Sequence, residues 1–104
     1  MSSSPYNVAA NGQTPVGIGF ALPVGKWLCI AESLYLSDRE LDVVRGIVGG
    51  ETEASIAQRL GLSVHTIHSH LDRIFRKLHV NSRCELVTRV FAEYVSLEPR
   101  DRSR

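Results

Sequence analysis

Residues 52–78 read TEASIAQRLGLSVHTIHSHLDRIFRKL, and this stretch decides the fold. Thr52 can cap a short helix whose apolar positions are Ile56, Ala57 and Leu60. Gly61-Leu62-Ser63 breaks that helix, and Ser63 can cap a longer one. In the second helix Val64, Ile67, Leu71, Ile74, Phe75 and Leu78 recur at helical spacing, which predicts one apolar stripe and a polar outer face. A short helix, a tight turn and a longer amphipathic helix make a helix-turn-helix, in which the first helix lies across DNA and the second enters the major groove, although the same geometry also serves simply to pack helical bundles. Gly61 suits the turn because it tolerates positive φ, and Ala57 is small enough for the helices to cross closely.

Outward from this motif the pattern stays helical. Upstream, Trp27, Ile30, Ala31 and Leu34 fall at i, i+3, i+4 and i+7. Ser37-Asp38-Arg39-Glu40 has the form of a capping box, with Leu36 and Val44 placed for a hydrophobic staple. Leu41, Val44, Ile47 and Val48 continue that helix until Gly49-Gly50 stops it. Downstream, Ser82-Arg83-Cys84-Glu85 is a second capping box, opening a helix with Leu86, Val87, Val90, Phe91 and Tyr94 inside. The expected architecture is all-α: a short helical bundle of five helices, spanning 24–97, with the helix-turn-helix at about 53–72. Residues 1–23, rich in Gly, Pro, Ser and Asn, read as a flexible N-terminal arm. Alternation of Val16, Ile18 and Phe20 also admits a short extended segment at Val16 to Leu22. Residues 98–104 read as a charged tail.

Composition excludes more than it selects. The 104 residues carry 43% hydrophobic and 22% charged side chains, as ordinary globular proteins do, and a net charge of only +1. The distribution is uneven. From Glu32 to Glu53 six acids face Arg39 and Arg45, whereas from Arg59 to Arg83 Asp72 alone opposes Arg59, Arg73, Arg76, Lys77 and Arg83. A near-neutral chain can therefore present one basic face, although two solvated faces of opposite sign fit the same counts. Cys29 and Cys84 are far apart, without metal-ligand spacing, and are expected as free thiols. No apolar run has the length of a membrane span, and Met-Ser-Ser-Ser-Pro does not begin a secretory signal, so a cytoplasmic location is expected.

Specific strings narrow the reading. Leu36-Ser37-x-Arg39-Glu40, Gly50, Ile56-Ala57-x-x-Leu60-Gly61-Leu62-Ser63 and Thr66-Ile67-x-x-His70-Leu71 follow one another in register. Ile74-Phe75-Arg76-Lys77-Leu78-x-Val80-x-Ser82-Arg83-x-Glu85-Leu86-Val87 completes the series. Over residues 30–95 the chain resembles the LuxR/GerE family of helix-turn-helix transcriptional regulators. The resemblance implies a four-helix DNA-binding domain, here with an extra N-terminal helix, that binds double-stranded DNA through the helix Val64 to Leu78. It assigns base-edge contacts to His68, Ser69 and Asp72, and phosphate contacts to Thr66 and Lys77, with His65 and Arg76 as additions. It also implies a homodimer through the last helix. Val87, Val90, Phe91 and Tyr94 are the candidate interface: they cannot all face one small core, so some of them are expected to meet a second subunit. RNA polymerase or a regulatory protein is a further candidate partner. Many members carry a receiver or sensing domain ahead of this region. Fewer than forty residues precede it here, so constitutive action, control by abundance or a partner protein is expected.

Helical geometry supports part of that assignment. At about 100° per residue the stripe centres between Leu71 and Val64, and Thr66, Ser69, Arg73, Arg76 and Lys77 point away from it, as DNA groove and phosphate contacts should. Asp72 and His65 sit on a shoulder, while His68 lies only about 60° from the centre and is expected to be partly packed. The chain departs from many relatives at His65, His68 and Asp72, where basic residues or Asn are common, and at Ala54-Ser55, where they have Lys-Glu. Fewer fixed cations mean fewer released counterions and weaker non-specific binding.

Other chemistry finds little support. His65 and His68 share a face, but no Cys or carboxylate completes a zinc set, so neither metal nor cofactor is expected. Ser, His and Asp crowd one short helix with no scaffold to orient them for catalysis, so the chain does not read as an enzyme. Gly46, Gly49 and Gly50 lack the Gly-Lys-Ser/Thr of a phosphate loop. Trp27 reads as core. Two rivals remain: the similar fourth region of a sigma factor, and a protein-interaction module that kept the fold without binding DNA.

Overall fold

A computed structural model describes residues 22–97. The arm read at 1–23, with the extended segment admitted at Val16 to Leu22, lies outside the described residues except for Leu22, which is buried in the core, and Pro23. The tail read at 98–104 lies outside them altogether. The described residues form five helices and no strand: α1 (Val24–Leu34), α2 (Asp38–Val48), α3 (Glu53–Leu60), α4 (Val64–Leu78) and α5 (Arg83–Leu97). Each helix begins where a side chain or a proline provides for it. The Pro23 carbonyl accepts from the amides of Lys26 and Trp27. Ser37 Oγ accepts from the Glu40 amide at 3.1 Å while Glu40 Oε1 accepts from the Ser37 amide at 2.9 Å, a complete capping box. Thr52 and Ser63 cap α3 and α4 with bonds of 3.0 Å to the amides of Ser55 and Thr66. At α5 the expected box is altered. Ser82 Oγ accepts from the Glu85 amide, but the Glu85 carboxylate accepts from Asn81 N–H rather than Ser82 N–H.

The first four helices stop in the same way. Tyr35, Gly50, Gly61 and His79 each have positive φ, at 61°, 90°, 71° and 60°. In every case the next amide reaches back five residues, from Leu36 to Ala31, Glu51 to Gly46, Leu62 to Ala57 and Val80 to Phe75. This reversal satisfies carbonyls that a helix end leaves orphaned. It also turns Leu36, Leu62 and Val80 back onto the core.

Side chains from all five helices fill one core. Trp27, Ile30, Val43, Val44, Ile56, Ile67, Ile74, Leu86 and Val90 are completely buried. Trp27 is core, as expected, with the Arg45 guanidinium 5.7 Å from the centre of its ring. The close pass of α3 over α2 depends on Gly46. A Cβ there would stand 2.7 Å from Ile56 Cγ1 and 2.7 Å from Glu51 Oε1.

Two expectations about the apolar stripes are corrected. Val64 is 48% exposed, because it starts its helix beyond the reach of the core. Val90 is completely buried, so it belongs to the core and cannot meet a second subunit. Val87 and Tyr94 are half-buried against that core, and of the four expected interface residues only Phe91 stands largely clear.

Candidate nucleic-acid interface

Helices α3 and α4 are joined by Gly61, Leu62 and Ser63, and Ile56, Ala57 and Ile67 lock them together in the core. Ile67, Leu71, Ile74 and Leu78 bury one side of α4 and leave the opposite side to solvent. His65, Ser69, Asp72, Arg73 and Arg76 are exposed there. Thr66 is half-buried and accepts from Ser63 Oγ at 2.9 Å through its own hydroxyl, which extends the cap. No carboxylate occupies the first turn of α4, and Arg76 and Lys77 fall in its last turn. The positive end of the helix dipole is therefore not offset by a carboxylate of its own helix.

Two of the expected contact residues differ in their surroundings from the sequence reading. His68 is not packed: its side chain is 65% exposed, and Nδ1 lies 3.5 Å from Glu53 Oε1 on α3. Lys77 is engaged internally. Its ammonium donates to Glu40 Oε1 at 2.6 Å and to the Tyr35 carbonyl at 2.8 Å. Glu40 is 4% exposed, so releasing Lys77 to a phosphate would leave a buried carboxylate without its counter-charge. Burial pushes the Glu40 carboxyl up, but Lys77 and the Ser37 amide outweigh it and hold the group below the usual carboxylate range.

Sequence reasoning missed two supports of this face. Arg59 grips the Glu51 carboxylate through Nε and Nη2, with a shortest contact of 2.6 Å, and Arg83 donates to the Glu51 carbonyl. Together they fix the α2–α3 connection to α3 and to the start of α5. Arg83 was visible as part of a motif string, whereas its partner lies 32 residues away and no spacing rule reveals it. His70, also in the motif, is half-buried and turned inward, and its buried Nδ1 has no hydrogen-bond partner.

A bundle that holds up one capped helix by its apolar side, behind a left-handed glycine turn, defines the helix-turn-helix class. Comparison with known families agrees. Residues 34–90 match the family described as bacterial regulatory proteins, luxR family (GerE). The chain belongs to this family, and the match runs on into α5, which decides against a sigma-factor region.

Several curated relatives carry regulatory names. The transcriptional activator protein AnoR of Acinetobacter nosocomialis is 37% identical over 57 residues, covering 55% of this chain and 24% of that protein. The transcriptional regulatory protein DesR of Bacillus subtilis is 34% identical over 65 residues, 58% of this chain and 33% of that one. The Fimbriae Z protein of Salmonella typhimurium is 34% identical over 85 residues, 82% of this chain and 35% of the relative. The chain thus spans about a quarter to a third of the length of these relatives. No solved structure gives a significant match. Among the described residues, no helix is long and apolar enough to cross a membrane, and no three His, Cys, Asp or Glu side chains group to hold a metal ion.

Proposed function

We propose that the chain is a sequence-specific duplex-DNA-binding regulator of transcription, working in the cytoplasm without catalytic activity, with residues 24–97 as its DNA-binding unit. The observation that carries this reading is the outer face of α4, polar along its length and held clear of the core by four buried apolar residues. Placed in the major groove, that face offers His68, Ser69 and Asp72 to base edges. His65, Thr66, Arg73 and Arg76 flank them toward phosphates. Asp72 is suited to accept from a cytosine amine.

The regulator acts as a homodimer through α5. Val90 is core, but Phe91 and Val95 are 49% and 48% exposed on one side of that helix, with half-buried Val87 beside them. RNA polymerase or a regulatory protein completes the expected set of partners. One observation favours a second reading, a protein-interaction module. With Lys77 neutralised by Glu40, Arg73 and Arg76 are the fixed cations left to the outer face of α4, and Asp72 opposes them.

Selection of bound sequences from random duplexes separates the two. A regulator yields a defined motif. Arg76→Ala then weakens binding to all duplexes and lowers the salt slope by about 0.9, the share of one phosphate contact. Asp72→Asn keeps general affinity and relaxes preference at one base pair, a discrimination worth roughly 1–3 kcal/mol. Flat base preference at every position would overturn the reading in favour of the interaction module.

A further inference from the structure

Three segments meet at one ammonium group. Lys77 lies in the last turn of α4, Tyr35 is the left-handed stop of α1, and Glu40 is the capping carboxylate of α2. The Glu40 oxygen that accepts from Lys77 is the same oxygen that accepts from the Ser37 amide. The α1–α2 junction is thus wired to the end of α4 through a single buried acceptor.

We propose that Lys77 is a positioning residue: it sets the pose of α4 in the DNA groove by pinning the end of that helix to the α1–α2 junction. The inference rests on the DNA-reading function proposed above. Two hydrogen bonds of 2.6 and 2.8 Å, one to a carboxylate that is itself held by a backbone amide, give the ammonium a fixed place. The two contacts bridge 37 and 42 residues of sequence, so they tie tertiary neighbours rather than stiffen a single helix. Leu78 anchors the same turn in the core, so a shift at the junction is passed along α4 as a rigid element. Helix α1 lies almost wholly ahead of residues 34–90, which match the family, and this contact gives that added helix a route to the reading face.

The test uses the full chain, its selected duplex and a scrambled duplex of equal length, each titrated across salt. Glu40→Gln is the main variant, because the amide oxygen can still cap Ser37 while the charge that holds Lys77 is gone. Lys77→Met and the double variant complete the cycle. Affinity for the selected duplex is expected to fall about tenfold in each single variant, and no further in the double. Binding to the scrambled duplex and the salt slope are expected to stay as in the wild type.

A slope lowered by about 0.9 in Lys77→Met, or a raised affinity in Glu40→Gln, means that Lys77 touches phosphate and overturns the inference alone. So does an equal loss on both duplexes in Glu40→Gln, which marks a merely structural pair. If Lys77→Met does not fold, Glu40→Gln decides by itself. A wild type that does not distinguish the two duplexes overturns the DNA-reading function, and the inference with it.

Discussion

Gly46 sits inside α2 with Ile56 of α3 so near that a methyl group would overlap it. Ile56 is completely buried and has nowhere to retreat, so Gly46→Ala must push α3 outward. A loss of about 1–3 kcal/mol in chemical denaturation is expected, with α3 and the turn after it loosening first in hydrogen exchange. Gly46→Ala at wild-type stability would show that the two helices are not in this contact. Sequence alone could only say that Gly46 is no phosphate loop, because its neighbour is brought by folding. Gly61 was legible, since a glycine between two periodic segments points to a positive φ. Tyr35 and His79 were not, because residues with a Cβ adopt that region at a cost and seldom signal it.

Helix boundaries were the most legible feature, because Ser37, Thr52 and Ser63 are hydroxyl caps whose bonds are local. The side of each helix that faces inward was less so. On α5, the family resemblance and the limited room in one small core marked Val87, Val90, Phe91 and Tyr94 as the candidate interface, and folding divides them between core and solvent. Likewise the internal partners of Lys77 lie on other helices, beyond the reach of any local pattern. The division on α5 has a direct consequence. Val95→Glu is expected to leave the fold intact and to shift sedimentation from dimer to monomer. Val90→Glu is expected to unfold the domain, because it buries an unpaired carboxylate. A wild type that sediments as a monomer both free and on its duplex rejects the dimer.

Three carboxylates hold the molecule together where helices meet. Glu40 joins the α1–α2 junction to α4, Glu51 is gripped by Arg59, and Glu93 on α5 accepts from Ser33 of α1 and from Arg89. Hydrogen bonds from Arg59 hold the Glu51 carboxyl below its usual range, and those from Ser33 and Arg89 do the same for Glu93. With Glu40 all three are depressed in the folded state. Their stabilisation is present above the ordinary value of 4.5 and is lost as pH falls through the lower folded values. The thermal midpoint is therefore expected to drop below about pH 4.5, and Glu51→Gln to flatten that drop. An acid profile unchanged by Glu51→Gln would assign the loss to other groups. The packing of α1 has one more consequence, and it is optical. Trp27 is the sole tryptophan of the chain, completely sealed from solvent and set beside the Arg45 guanidinium. All indole emission therefore comes from the seam between the added helix and the rest of the helix-turn-helix domain. Undocking α1 would shift that emission to the red and remove the cation from the ring, so the chain carries its own fluorescent gauge of whether its first helix is seated.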